Sequence, residues 1–216
     1  MLSRLQEQVA GIIASLNEAE GFALAGGAAL ILRGVVRRST RDLDFFGLTT
    51  AAVDMLVPVV EDALRAAGLT VEHVQRSTGF ARLLVERDGE VTEVDIAADA
   101  RLFPAQPGHL APTLSGEELA VDKVLAIFGR AEARDFEDLM ALEPRYGFDR
   151  LCELAAEKDR GFLPEVLAEM LGHFGRLRRD EFELDDARYQ QLARLVEGWR
   201  ERASELAGAS RLGDDV

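Results

Sequence analysis

The chain has 216 residues, of which 48% are hydrophobic and 30% are charged, a composition typical of soluble globular proteins with one large domain or two small ones. No apolar run approaches the roughly 18 residues that a membrane helix needs, and the N-terminus lacks the pattern of a secretory signal, so we expect no membrane partner. The net charge of −14 argues against a general nucleic-acid-binding protein, although residues 1–50 carry as many basic as acidic groups. The single cysteine, Cys152, excludes an internal disulfide and favours a cytoplasmic location.

Hydrophobic periodicity in the first half of the chain predicts both helices and strands. An amphipathic helix is expected from Leu2 to Leu16, and a longer one from Ala51 to Ala67, with Pro58 inside it as a possible kink or delayed start. Asp88-Gly89 is a strong signal for a two-residue hairpin turn. The predicted strands cover residues 22–25, 42–46, 70–75, 81–87 and 91–97.

The second half of the chain predicts helices only. Residues 99–116 are rich in proline and glycine and are the best candidate for a domain boundary. Beyond them we expect helices over residues 148–156, 162–171 and 186–206, with Cys152 facing a core and a frayed tail from Ala207. The predicted fold class is therefore α+β: a mixed sheet flanked by helices over residues 1–112, and a helical C-terminal domain over residues 113–216 that completes the active site.

Gly26-Gly27 lies between the first predicted strand and a short apolar helix that is predicted from Ala28 to Leu32. Glycines let a backbone approach a phosphate closely, and the amide groups at a helix N-terminus favour an anion. A glycine pair after a strand is also common in plain turns, so this pair alone is a weak signal.

The two aspartates of Asp42-Leu43-Asp44 follow a basic loop that contains Arg37, Arg38 and Arg41. Residues i and i+2 of a strand share a face, so both carboxylates would point the same way. Carboxylate oxygens suit Mg²⁺, which commonly uses one or two of them together with substrate phosphates. The order strand, Gly-Gly, helix, basic loop and Asp-x-Asp strand is far more specific than any of its parts.

Asp95 stands inside a short apolar strand, where a carboxylate is costly unless it is paired or bound to a metal. It shares a strand face with Glu93, whereas Val94 and Ile96 lie on the other face. The alternative is a solvent-facing aspartate on an edge strand.

Lys123, one of the two lysines of the chain, begins a second group of charged residues. If one helix continued from Lys123 to Arg134, both Arg130 and Arg134 would return to within about 20° of Lys123. Asp138 would lie about 60° away and would be able to pair with Arg134. Gly129 is the position at which such a helix would break.

Together these residues resemble the nucleotidyltransferase superfamily with the DNA polymerase β-like core, and more closely the AbiEii/AbiGii toxins of type IV toxin–antitoxin systems. The superfamily more often has Gly-Ser where this chain has Gly26-Gly27. The similarity lies in Gly26-Gly27-Ala28-Ala29-Leu30, Ser39-Thr40-Arg41-Asp42-Leu43-Asp44-Phe45, Lys123, Arg130 and Arg134-Asp135-Phe136-Glu137-Asp138-Leu139.

The resemblance implies an NTP-dependent enzyme that transfers a nucleotide and releases pyrophosphate. Asp42, Asp44 and Asp95 would hold Mg²⁺ or Mn²⁺, with Glu93 as the alternative third carboxylate. The residues implied in nucleotide binding are Gly26, Gly27, Thr40, Arg41, Lys123, Arg130 and Arg134. Lys123 would also protonate the leaving pyrophosphate.

Asp135 or Asp138 would orient the cations or bind a hydroxyl; the spacing in a continuous helix favours Asp138, and the resemblance supports both. The implied acceptor is the 3′ end of tRNA, whose modification would block translation, and a cognate antitoxin is the implied protein partner. Two alternatives remain: a small-molecule nucleotidyltransferase of the antibiotic-modifying kind, and a catalytically silent binding module that keeps the fold.

Overall fold

The computed structural model describes residues 1–213 and divides into two compact units, Met1–Gly116 and Glu117–Val216. The first unit combines a mixed sheet with helices, and the second is helical throughout the part that the structure describes. The predicted α+β fold class is therefore confirmed. Among the helices of residues 1–213, none is both long enough and apolar enough to cross a membrane.

A five-stranded sheet with the order β1-β2-β5-β4-β3 forms the centre of the first unit. β2 and β5 run parallel, and the other neighbouring strands run antiparallel. All five predicted strands are present. Their bounds are β1 Ala23–Leu24, β2 Asp42–Gly47, β3 Thr70–Ser77, β4 Phe80–Arg87 and β5 Glu90–Ala98.

The sheet has one buried face and one partly exposed face, because side chains alternate along each strand. The buried face includes Leu43, Phe45, Ala81, Leu83, Val85, Thr92, Val94 and Ile96. The helices α1 (Arg4–Ala14) and α3 (Thr50–Ala66) contact these strands. The opposite face of β2 carries Asp42 and Asp44, which are only half-buried.

The helix α2 (Gly26–Leu32) begins two residues before the predicted start. Its first turn contains Gly26-Gly27, because Ala29 N–H already donates to the carbonyl of Ala25 at 3.1 Å. α3 begins after Thr49, whose hydroxyl accepts from Ala52 N–H at 3.2 Å, and it runs through Pro58 without a delayed start.

The second unit consists of five helices within the described residues, together with two short 3₁₀ segments. Their bounds are α4 Gly116–Gly129, α5 Ala133–Tyr146, α6 Phe148–Lys158, α7 Pro164–Leu171 and α8 Asp186–Gly213. α8 continues past Ala207, which is buried, so the expectation of a frayed tail is wrong as far as Gly213; residues 214–216 lie outside the described part.

A helix break separates Lys123 from Arg134, so the condition for their alignment on one helical face is not met. α4 ends at Gly129, and Ala131 has a left-handed backbone with φ of 55° before α5 begins at Ala133. Amide groups of Arg130 and Ala131 both donate to the carbonyl of Ala126, which ends α4. The three predicted cations therefore lie on two helices and the connection between them.

Lys158, for which the sequence suggests no role, has a buried side chain that joins α6 to α4. Its ammonium donates to Glu118 Oε1 at 2.8 Å and also to Asp122 Oδ1. The Lys158 side chain is 3% exposed and that of Glu118 is 0% exposed. Removing one member of such a group would leave uncompensated charge in the interior.

We predict that Lys158→Met lowers the free energy of unfolding of the helical unit by about 3–5 kcal/mol, because two carboxylates lose their buried partner. Trp199 is the only tryptophan of the chain and stacks on Phe148 at 5.9 Å between ring centroids. Tryptophan fluorescence during urea denaturation therefore measures unfolding of this unit.

Arg150→Met is the matched control on the same helix, since Arg150 pairs with Glu153 at 3.3 Å on the surface. An exposed pair contributes about 0–1 kcal/mol, so this variant should remain close to the wild type. Equal losses in the two variants would contradict the importance of the buried group around Lys158.

Candidate active site

Asp42 and Asp44 occupy the partly exposed face of β2, as their spacing predicts. The hydroxyl of Thr40 donates to Asp42 Oδ1 at 2.6 Å, which fixes one carboxylate at the start of the strand. The amide of Ala25 donates to the carbonyl of Asp44 at 2.9 Å and so brings the glycine pair to the second carboxylate.

Gly26 lies directly against the carboxylate of Asp44. A Cβ atom at Gly26 would stand 2.0 Å from Asp44 Oδ2, and the φ angle of +56° also disfavours any other residue. A Cβ atom at Gly27 would lie 2.9 Å from Thr40 Oγ1 and 3.1 Å from Arg38 Nη2. The structure thus brings both glycines, Thr40 and both aspartates together.

The loop that precedes Asp42 is held by a buried glutamine that the sequence does not single out. Gln6 Nε2 donates to the carbonyl of Thr40 at 3.1 Å and approaches Thr92 Oγ1 at 3.3 Å. Thr92 Oγ1 donates to the carbonyl of Arg41 at 3.1 Å, and Glu93 N–H donates to the same carbonyl at 3.2 Å. These bonds fix the backbone of residues 40–41, whereas the exposed Arg41 side chain has a nucleotide-binding role only as a prediction.

Asp95 is buried, and its carboxylate pairs with Arg82 of β4. Arg82 Nε donates to Asp95 Oδ1 and Arg82 Nη2 donates to Asp95 Oδ2, each at 2.7 Å. Arg82 Nε also lies 3.6 Å from Glu93 Oε2. The candidate third carboxylate therefore has a cation of the protein as its partner, and its role as a metal ligand stays a prediction.

Arg82 is the most important residue that the sequence interpretation missed. The signal was present: a two-residue turn at Asp88-Gly89 pairs Arg87 with Glu90, and counting back along both strands places Arg82 opposite Asp95.

The oxygen atoms at Asp42 and Asp44 fit a divalent cation. Both carboxylates are hard donors, both are partly exposed, and the missing Cβ of Gly26 leaves space beside Asp44. Within residues 1–213, however, no group of three or more histidine, cysteine, aspartate or glutamate residues is arranged to hold a metal ion. The donor set therefore fits a cation that takes two carboxylates and completes its coordination with water or phosphate oxygens.

Lys123 forms the centre of a buried charge cluster in the helical unit. Its Nζ atom lies 3.1 Å from Asp135 Oδ1 and 3.0 Å from Asp138 Oδ2. Arg130 donates to the same Asp135 through Nε at 3.0 Å and through Nη2 at 3.1 Å. Asp135 and Asp138 are fully buried, whereas the Arg130 side chain is 49% exposed.

The charges of this cluster stabilise one another. Burial alone would lower the pKa of Lys123, but the carboxylates of Asp138 and Asp135 outweigh burial and raise it above its ordinary value. Burial would raise the pKa of Asp135, but Lys123 and Arg130 lower it. Lys123 is therefore held as an ammonium, which suits charge neutralisation better than proton donation.

Arg134 Nε lies 3.0 Å from Glu132 Oε2. The structure therefore joins Lys123, Arg130, Asp135 and Asp138 into one cluster, and it pairs both candidate acids with Lys123. Cys152 is buried as predicted, and burial raises the pKa of its thiol to about 12, so it is no nucleophile.

Comparison with known proteins agrees with this geometry. A sequence model of the family described as "Nucleotidyl transferase AbiEii toxin, Type IV TA system" matches residues 10–212. The Helicobacter pylori protein JHP933 is similar over 100% of this chain and 98% of its own, with 17% identity and a TM-score of 0.60. The Mycobacterium tuberculosis nucleotidyltransferase toxin MenT4 is similar over 93% of this chain and 86% of its own, with 18% identity and a TM-score of 0.65.

No curated protein sequence matches the chain. At identities below one fifth, the likeness to the two solved structures shows the fold alone. This shared fold agrees with the nucleotidyltransferase fold that the sequence predicts.

We predict that Gly26→Ala destabilises the protein more than Gly34→Ala does. Both glycines have positive φ, +56° and +69°, so alanine costs each about 1–2 kcal/mol of backbone strain. Only the Gly26 variant also places a Cβ atom on Asp44 Oδ2, since nothing lies within 4 Å of a Cβ atom at Gly34. Thermal unfolding measures the difference, and a crystal structure of Gly26→Ala should show the Asp44 side chain in another rotamer. Equal losses of thermal stability in the two variants, together with an unchanged Asp44 rotamer, would refute the close contact.

Proposed function

Because the chain belongs to the family of AbiEii nucleotidyltransferase toxins of type IV toxin–antitoxin systems, we propose that it transfers a nucleotide from an NTP to the 3′ end of tRNA and thereby blocks translation. Nucleotidyl transfer follows from the family, whereas the tRNA acceptor and the dependence on a metal are the proposed parts. The close packing around the two aspartates of β2 is the observation that best supports the proposal. Gly26 lies against the carboxylate of Asp44, and the hydroxyl of Thr40 donates a hydrogen bond to Asp42.

We propose that Asp42 and Asp44 hold a divalent cation, Mg²⁺ or Mn²⁺. When bound, such a cation lowers the pKa of an attacking hydroxyl and neutralises charge on the leaving pyrophosphate. Thr40 keeps one oxygen of Asp42 in place, and the carbonyl of Asp44 is fixed by Ala25. The carboxylate of Asp42 and the backbone of Asp44 are thus held in place before any ligand arrives, which reduces the entropy lost on binding.

In the proposed reaction, a hydroxyl oxygen of the acceptor forms a bond to the α-phosphorus of the NTP. The bond between this phosphorus and the bridging oxygen of the β-phosphate breaks, so pyrophosphate departs with that oxygen, and the hydroxyl proton is released to water. The amide groups of Gly26-Gly27 are proposed to contact phosphate oxygens, because both residues lack the side chains that would keep a phosphate away.

The cluster around Lys123 is proposed to supply positive charge for the phosphates. Arg130 is the cation of this cluster that reaches solvent, and Asp135 holds its guanidinium by two hydrogen bonds. Lys123 and Asp138 are buried and are proposed to orient Asp135 rather than to touch the NTP. A phosphate contact of Arg134 remains a further prediction.

The proposed macromolecular partners are tRNA and a cognate antitoxin protein. The basic loop supports tRNA, since Arg37 and Arg41 are exposed close to the aspartates in sequence. Arg38 is half-buried and donates to the carbonyl of Ser39 at 2.9 Å, so it also shapes the loop. Transfer to a small molecule is the competing acceptor, and the experiments below separate the two.

We predict that Asp42→Asn and Asp44→Asn each lower nucleotide transfer by orders of magnitude while the protein stays folded. Each change keeps the shape of the side chain and removes a charge needed for a cation, so the loss is in transition-state stabilisation. Mg²⁺ should raise the melting temperature of the wild type and have little effect on either variant. Asp88→Asn, in the exposed hairpin turn, is the matched control and should behave as the wild type. Near-normal turnover in both Asn variants would refute the role of these aspartates.

We predict that label from one NTP enters tRNA when the protein is incubated with each labelled NTP, Mg²⁺ and total tRNA, and that expression slows growth. Phosphate contacts make binding sensitive to salt, so transfer should fall as ionic strength rises. Arg37→Glu should weaken use of tRNA more than binding of NTP, whereas Arg76→Glu on the exposed strand β3 should change neither. Label found only in a small molecule or in protein would exclude the tRNA acceptor.

A further inference from the structure

A buried side chain of α1 connects the first turn of that helix to the loop that leads into β2. Gln6 is only 3% exposed, so the protein itself must satisfy the hydrogen-bonding groups of its amide. The oxygen, Oε1, accepts from Ser3 N–H at 3.0 Å. The nitrogen, Nε2, has two N–H groups, and it donates to the carbonyl of Thr40 at 3.1 Å and to Thr92 Oγ1 at 3.3 Å. Both ends of the Gln6 amide are therefore in use.

An amide serves both ends of this arrangement, whereas a carboxylate would serve only one. Ser3 and Gln6 form a capping box, in which the Ser3 hydroxyl accepts from Gln6 N–H at 3.1 Å and the Gln6 side chain accepts from the Ser3 amide. Glutamate suits the same position of a capping box, and its charge is favourable at a helix N-terminus. An ionised glutamate, however, would place an oxygen instead of a donor against the carbonyl of Thr40. The amide at this position thus meets a need of the loop and not of the helix.

Thr40 connects Gln6 to the first aspartate of β2. Its carbonyl accepts from Gln6, while its hydroxyl donates to Asp42 Oδ1 at 2.6 Å. Because both groups belong to one residue, the position of the carbonyl limits where the hydroxyl can lie. Thr92 Oγ1, which accepts from Gln6, donates to the carbonyl of Arg41 at 3.1 Å. Two successive peptide groups before Asp42 are thereby fixed.

We propose that Gln6 is a positioning residue for the metal site: by fixing Thr40 it holds the carboxylate of Asp42 in the orientation that binds a divalent cation. The inference rests on the proposed metal site and deepens it, since Gln6 lies on a helix that carries none of the motifs of that site. Removing a group that holds a metal ligand in place typically changes metal affinity or activity by about 10–100-fold. Gln6 acts through the loop and, being buried, does not reach a substrate.

The test compares Mn²⁺ affinity, measured by electron paramagnetic resonance without nucleotide, with the melting temperature of the full-length protein. Gln6→Met keeps the length of the side chain and removes both donors, so Mn²⁺ should bind about tenfold more weakly. Nucleotide transfer by this variant should need more Mg²⁺ for its half-maximal rate, and excess Mg²⁺ should restore most of kcat. Gln8→Met is the matched control on the same helix, because Gln8 accepts from Arg87 Nη1 at 3.0 Å on the surface. Its Mn²⁺ affinity should equal that of the wild type.

Ser3→Ala separates positioning from a merely structural role of Gln6. It removes the hydroxyl of the cap, which destabilises α1, but it leaves the Ser3 amide and the bonds of Gln6 to the loop. We expect a lower melting temperature with the Mn²⁺ affinity of the wild type. The inference is overturned if Ser3→Ala weakens Mn²⁺ binding as much as Gln6→Met, or if folded Gln6→Met binds Mn²⁺ as the wild type does.

Thr92→Val gives the answer should Gln6→Met fail to fold. It nearly keeps the shape of the side chain, lies on β5 instead of the helix, and removes the link from Gln6 to the carbonyl of Arg41. Mn²⁺ affinity should fall in this variant too, and wild-type affinity would refute the inference.

Asp42→Asn distinguishes failure of the inference from failure of the proposed function. If Asp42→Asn leaves Mn²⁺ binding intact, the proposed metal site itself is wrong. If Asp42→Asn abolishes binding but Gln6→Met does not weaken it, only the role of Gln6 is wrong.

Discussion

The contact between Gly26 and Asp44 is the constraint on which the rest of the candidate site depends. Only a residue without a side chain allows the start of α2 to lie against a carboxylate on β2, and the positive φ of Gly26 enforces the same choice. Residues 33–41 connect the end of α2 to the start of β2, and both aspartates lie on the partly exposed face of that strand. Gln6 and Thr92 then fix the last residues of this return.

Like charges on one face of a sheet need compensation. Asp95 receives a complete guanidinium from Arg82, and Asp42 accepts a hydrogen bond from the hydroxyl of Thr40. Neighbouring carboxylates raise each other's free energy when no cation stands between them. The divalent cation that we propose at Asp42 and Asp44 would reduce the repulsion between their two carboxylates.

The sequence predicts the architecture well because the decisive signals are local. The alternation of β4 and β5, the turn at Asp88-Gly89 and the Asp-x-Asp spacing each depend on neighbouring residues alone. Gly129 marks the position of the helix break in the sequence, but the left-handed backbone of Ala131 is not predictable, because an alanine side chain does not favour it. The roles of Arg82 and Gln6 are not visible in local sequence, because their partners are distant in the chain and only strand register or packing brings them near.

The distribution of lysine and arginine follows the same logic of charge compensation. The chain has two lysines, and the buried side chain of each contacts two carboxylates of one other helix. Lys123 contacts two aspartates of α5, and Lys158 contacts two acidic residues of α4. A compact ammonium with three donors can serve two such acids at once, whereas a planar guanidinium fits one carboxylate edge-on. Arg82 and Arg130 show the second pattern, each making two bonds to a single aspartate.

Lys123 and Lys158 therefore stand where two acids must be neutralised in the interior, and both contribute to the position of α4. Lys123 belongs to α4, and Lys158 of α6 contacts Asp122, the residue next to Lys123. Because Lys158 holds Glu118 and Asp122 on α4, it also restricts the rotation of the helix that carries Lys123. Lys123 in turn contacts Asp135, which holds the guanidinium of Arg130, so the ion pairs of both lysines act on α4.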